Sequence, residues 1–108
     1  MLEKYPYTKQ SINYYSNFDF VSLLNELIKN GYWSNGVSFI GINYTEQKTI
    51  FSASIGGRDL STGEEVVELL PQKDFIEFLH KIKKIYIAEN KEKESIIDKT
   101  FNNFIEKI

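Results

Sequence analysis

His80 is the only histidine in the chain. Catalysis by an imidazole needs a nucleophile and a group that orients the ring. Glu77 stands three residues earlier and shares a helix face with His80 if the segment is helical. The same spacing makes an ordinary hydrogen bond on a helix surface, which is the expectation for this histidine. With no second histidine, zinc held by nitrogen ligands is excluded. With no cysteine, so are a zinc finger, a cysteine nucleophile, an iron–sulfur site and a disulfide scaffold. Gly56-Gly57-Arg58-Asp59 is glycine-rich but is no phosphate loop. A Walker loop joins a strand to a helix and ends in Lys-Ser or Lys-Thr, and the Rossmann fingerprint places GxGxxG there. Here the glycines join two strand-like segments, as a turn or as a tip that touches a partner.

The carboxylates are concentrated in the middle of the chain. Residues 44–70 carry Glu46, Asp59, Glu64, Glu65 and Glu68 against Lys48 and Arg58, a local charge of −3. Residues 72–108 carry eight lysines against seven acids. Glu64 and Glu65 are adjacent, so in a strand they face opposite ways. No spacing matches a calcium loop or a glycosidase pair. The cluster fits a solvated sheet rim, or an acidic surface that docks a basic partner. Tyr32-Trp33 follows the first helical segment. Tyrosine and tryptophan are the residue types that anchor protein interfaces, although Trp33 can equally cap the core. The candidate partner-binding residues are therefore Trp33, Glu46, Asp59, Glu64 and Glu65. No catalytic residue, metal ligand or cofactor site is expected.

Residues 18–30 must form a helix, because Val21, Leu24, Leu27 and Ile28 make a stripe that Leu23 widens. Asn17 or Asp19 caps its start and Gly31 its end. Residues 1–17, with Tyr5, Pro6, Tyr7, Tyr14 and Tyr15, show no period and are read as an irregular aromatic arm with at most a short edge strand. Three strands follow: Gly36–Tyr44, Thr49–Ile55 and Glu65–Leu70. The first two are joined by the short polar link Thr45–Lys48, as a hairpin needs. In the second, Phe51, Ala53 and Ile55 share one face, and Ser52 and Ser54 the other. In the third, Val67 and Leu69 face away from Glu68, and Pro71 ends the strand. From Gln72 onward there is neither Gly nor Pro. Phe75, Leu79, Ile82 and Tyr86 form one helical stripe; Ile97, Phe101, Phe104 and Ile108 form another. The polar run ENKEKE between them predicts two helices broken near Asn90. The fold expected is a single α+β domain over 1–108: an N-terminal helix, a three-stranded antiparallel meander, and two C-terminal helices packed on one sheet face.

A chain of 108 residues is one domain's worth, and its 42% hydrophobic and 26% charged residues are near the globular average. The net charge of −2 argues against direct nucleic-acid binding, which needs a basic face. Arg58 is the only arginine, so bidentate grips on phosphate are nearly absent. No apolar run approaches the length of a membrane span, and MLEKYPYTKQ is no signal peptide. The sequence is therefore expected to be cytoplasmic, and Asn43-Tyr44-Thr45 is a chance sequon.

The order of segments from Leu23 to Ile108 resembles a known family. A leading helix ends in Gly, then come WSNGVSF, the strand EEVVELL, QKDFIEFLHKIKKIYIAE and a final amphipathic helix. This resembles the immunity proteins of contact-dependent growth inhibition systems, particularly those paired with ribonuclease toxins. The resemblance implies an α+β fold and a cytoplasmic inhibitor, not an enzyme, that binds one C-terminal toxin domain in a 1:1 complex as a monomer. An inhibitor of a basic nuclease needs a scaffold, a few carboxylates and apolar anchors, and no catalytic group. The alternative is a small accessory or scaffold domain that assembles through its sheet edge or last helix.

Overall fold

The computed structural model describes residues 2–44, 46, 50–59 and 61–107, with only the backbone of Phe51. Thr49, Leu60, Ile108 and all of the Thr45–Lys48 link except Glu46 lie outside these residues. The chain folds as α+β, with a four-stranded antiparallel sheet in the order β1-β2-β3-β4.

The strands are β1 (Tyr32–Ser34), β2 (Phe39–Tyr44), β3 (Ile50–Arg58) and β4 (Glu65–Pro71). The expected meander is present, and β1 is added at its edge. Tyr32-Trp33 is thus strand, not loop, because it pairs with Gly41 and Ile40. β3 runs three residues past the expected Ile55, through Gly56, Gly57 and Arg58. These glycines do not turn the chain. A Cβ on Gly56 would strike the Phe39 ring, and one on Gly57 the Tyr7 hydroxyl, so both keep the backbone bare for a neighbouring aromatic.

α3 (Phe20–Asn30) begins where Asp19 accepts a hydrogen bond from the Ser22 N–H (3.1 Å) and stops at Gly31 with φ 69°. α4 (Gln72–Glu89) and α5 (Glu94–Glu106) are separate helices. They are broken at Asn90, whose side-chain amide donates to the Tyr86 carbonyl (2.9 Å), with a 3-10 turn over Lys91–Lys93 between them. α4 packs on β3 and β4, and α3 on β1 and β2. α5 does not lie on the sheet as expected. It packs on α3 and α4, where Phe101 meets Phe20 and Phe104 meets Phe75.

The first 17 residues are not an irregular arm. A 3-10 turn (Leu2–Lys4), α1 (Pro6–Gln10) and α2 (Ile12–Tyr15) fold over the same side of the sheet. Helices this short have no stability of their own. Contacts with the sheet fix them. The Glu68 carboxylate accepts from the Tyr7 N–H (3.1 Å) and the Thr8 N–H (2.7 Å), satisfying the first-turn donors of α1. The Tyr5 hydroxyl donates to Asp74 (3.0 Å). Tyr15 is fully buried, and its hydroxyl lies 3.2 Å from the Phe39 carbonyl and 3.3 Å from that of Gly56.

These phenols make stability depend on pH. Burial is the first cause that raises the phenols of Tyr7, Tyr15 and Tyr44 above their ordinary value of 10.0. Each is held neutral in the folded chain more firmly than in the unfolded one. Their contribution is fully present below pH 10 and lost as pH rises through the higher folded values. Asp59 is held below its ordinary carboxylate value, first by the Ser61 hydroxyl, so its contribution is lost as pH falls through the folded value. Thermal melts across pH should show steep alkaline loss, with phenolate absorbance of these tyrosines appearing together with unfolding. Full phenolate titration before unfolding would overturn this expectation.

Candidate interaction face

Strand alternation gives the sheet two unlike faces. Ile40, Ile42, Ala53, Ile55 and Leu70 point into the helices and are buried. The opposite side carries residues in register: Ser34, Phe39, Gly56 and Val67 in one row, and Tyr32, Gly41, Ser54 and Leu69 in the next. Among the described residues no helix covers this side. Tyr32 is 50% exposed, Val67 57%, Leu69 65%, and Val37 at the mouth of β2 68%. Exposed aliphatic and aromatic side chains gathered on one sheet face are the usual mark of a protein-binding surface.

The small residues in the middle shape this face. Gly41 lets the Tyr32 ring lie flat and stack on Phe39 at 5.9 Å and 22°. Gly56 lets Phe39 lie on backbone. The aromatic pair therefore forms one bank and Val67 with Leu69 the other, across Ser54. A shallow hollow of about 220 Å³ opens between Val37, Phe39, Glu65 and Val67.

The structure divides the five residues singled out from the sequence. Trp33 points the opposite way from Tyr32. It is half-buried against Tyr15 (5.7 Å) and Phe18 (5.2 Å), so it closes the core and Tyr32 is the aromatic at the open face. Glu46 is exposed in the β2–β3 connection, at the end of the sheet opposite the β3–β4 turn. The nine residues of β3 separate it from the other acids, roughly 27 Å at about 3.3 Å per residue. Asp59, Glu64 and Glu65 do come together, at the β3–β4 turn. Asp59 is a turn builder: its carboxylate accepts from the Ser61 hydroxyl (2.6 Å), the Ser61 N–H (2.8 Å) and the Thr62 N–H (3.3 Å). Gly63, with φ 74°, completes the turn, and its N–H donates to the Asp59 carbonyl (2.8 Å). Glu64 and Glu65 are exposed at its rim. Glu68, counted with the acids in the sequence, is turned to the helix side and spent on α1.

The larger hollow, about 720 Å³, runs between α4 and α5 and is lined by residues including Glu77, His80, Lys81, Lys84, Glu94 and Asp98. His80 is exposed, as the sequence suggested, and its ring meets Phe101 edge-on at 4.7 Å. Glu77 Oε2 is buried with no hydrogen-bond partner, so that oxygen does not orient the imidazole. Lys83 pairs with Asp98 at 2.8 Å. The groove carries both signs of charge, and the described residues that line it include no serine, threonine or tyrosine hydroxyl. Among the described residues no cluster of His, Asp or Glu is placed to hold a metal ion, and no helix is long and apolar enough to cross a membrane. Comparisons with protein-family models, curated proteins and solved structures find no match for this chain.

Proposed function

We propose that this protein is a stoichiometric inhibitor of the immunity type, which binds a secreted toxin domain in the cytoplasm of the cell it protects. The reading is supported above all by the open sheet face, where the Tyr32–Phe39 stack, Val67 and Leu69 adjoin the acidic pair Glu64 and Glu65. Apolar anchors beside a few carboxylates suit the cleft of a basic nuclease. The anchors supply burial, while the charges steer the encounter and fix its orientation. One chain would occlude one toxin domain, at roughly 800 Å² buried per partner. Neither a cofactor nor nucleic acid takes part in this role.

The experiment is co-purification with the toxin domain encoded beside this chain, followed by a nuclease assay at increasing ratios of the two. Cleavage should fall to nothing at one chain per toxin. Undiminished cleavage at excess inhibitor would overturn the proposal.

A further inference from the structure

The hydrogen-bond parity of the sheet fixes which backbone groups of β4 point outward. The Asp59 N–H donates to the Glu64 carbonyl (2.9 Å), which makes 59 and 64 a hydrogen-bonded pair. Bonded pairs recur at every second residue of an antiparallel ladder. Val66, Glu68 and Leu70 therefore bond to Gly57, Ile55 and Ala53. At the other side of the sheet, the Ile42 N–H bonds to the Gly31 carbonyl and the Asn35 N–H to the Ser38 carbonyl, which gives the same alternation across β2. The N–H and C=O groups of Glu65, Val67 and Leu69 thus point away from β3. Among the described residues, the elements packed on β4 are β3 beside it and α1 and α4 over it.

Sheet edges are normally protected by shortness, by charged side chains (lysine above all) or an inward-pointing charge, by a bulge or a proline, or by a covering helix or loop. The β1 edge is protected, being only three residues long. β4 is seven residues, has no lysine and is in unbroken register with β3; its inward carboxylate, Glu68, is bound to the α1 N–H groups, and its outward charge, Glu65, stands at the first residue of the strand. Its proline, Pro71, is the last residue and shares the outward parity, so it leaves the other outward N–H groups in place.

We infer that β4 pairs with β4 of a second copy of this chain, antiparallel about a two-fold axis at Val67, to make one continuous sheet. The occupant follows from the symmetry of the edge. The outward residues Glu65, Val67 and Leu69 are centred on Val67. An axis there sets Val67 against Val67 and Glu65 against Leu69, so that the exposed carboxylates never oppose each other. On the open face this gives an aliphatic centre, with each Leu69 opposite the stem of a glutamate. Such a pair is isologous and closes at two chains. Strand addition extends the open face and does not cover it. The inference rests on the edge alone and stands whether or not the face binds a toxin. It departs from the monomer that the family resemblance implies for the inhibitor.

The test is sedimentation equilibrium on the full chain over a wide concentration range, with amide hydrogen exchange on the same samples. The apparent mass should rise from 12.6 kDa toward twice that value as concentration increases. Protection should grow with concentration at the amides of Glu65, Val67 and Leu69, and stay constant at those of Val66, Glu68 and Leu70. Val67→Pro deletes an outward N–H that β3 does not use, and proline is tolerated at such edge positions. It should abolish the mass increase. Leu69→Glu, a surface change on the open face that sets a carboxylate against Glu65 of the other copy, should do the same if the proline variant unfolds. A wild-type chain that stays at 12.6 kDa throughout would overturn the inference, as would a dimer that persists in Leu69→Glu. So would a monomeric chain whose outward amides become protected only when a foreign polypeptide is added.

Discussion

Replacing Glu68 by alanine should destabilise the protein by about 2–4 kcal/mol, far beyond the effect of an ordinary surface acid. Its carboxylate takes two backbone N–H groups at the start of α1, where the N-cap residue Tyr5 makes no side-chain cap bond. Each charge-assisted bond contributes roughly 1.5–3 kcal/mol, and partial exposure brings the pair below the sum. Against a typical total of about 5–15 kcal/mol the loss is large. Glu68→Gln keeps an acceptor oxygen without the charge and should recover roughly half of it. Urea unfolding gives the free energies. Hydrogen exchange at Tyr7 and Thr8 shows whether the loss is located where the geometry puts it. A change of about 0.5 kcal/mol or less in the alanine variant would mean that α1 is held by its apolar contacts alone.

Glu68 also shows what the sequence could not disclose. The alternation in EVVELL separates Val67 and Leu69 from Glu68, but alternation alone does not say which side meets the helices. Polarity suggests that the glutamate faces water. The structure turns it inward, because α1 needs an acceptor and the sheet supplies one 60 residues away in sequence. The same physics hid the N-terminal helices, whose stability lies in Glu68, Asp74 and the carbonyls around Tyr15, and not in any local period. What was local was legible. Asp19 and Gly31 bracket α3, the polar run after Glu89 breaks the last two helices, and the Val- and Ile-rich stretches form strands. β1 was missed because three residues carry no pattern of their own. Its absence also cost the site its anchor. Without the pairing of Tyr32 with Gly41 and Trp33 with Ile40, nothing distinguishes which aromatic faces the core. Glycine at 56 and 57 read as a turn because glycine usually breaks strands. Here it admits Phe39 and Tyr7, contacts that exist only in three dimensions.

The acidic end of the open face carries the second large effect. If it meets the cleft of a basic toxin, reversing Glu64 and Glu65 together to lysine should weaken the complex by at least about 2–5 kcal/mol, the loss from truncating one member of a desolvated charge pair. That is roughly 30- to several-thousand-fold in affinity. Reversal also adds repulsion, so the lower bound is the safer one. Both side chains are exposed, and the turn beneath them is built by Asp59 and Gly63, so folding should change by about 1 kcal/mol or less, the loss coming from position 65 opposite Arg58. Asp59 is left unaltered for that reason, since its reversal would mix loss of the turn with loss of charge. Lys91→Glu and Lys93→Glu serve as the contrast. They lie in the exposed 3-10 turn between α4 and α5, on the helical side of the molecule, and should leave affinity nearly unchanged. Titration calorimetry at two salt concentrations separates the contributions. Steering charges lose their effect beyond a Debye length, about 8 Å at physiological salt, whereas a desolvated pair keeps most of its own. Loss of binding in the lysine variants, with the glutamate reversals silent, would move the interface to the helices and leave the open face without a toxin.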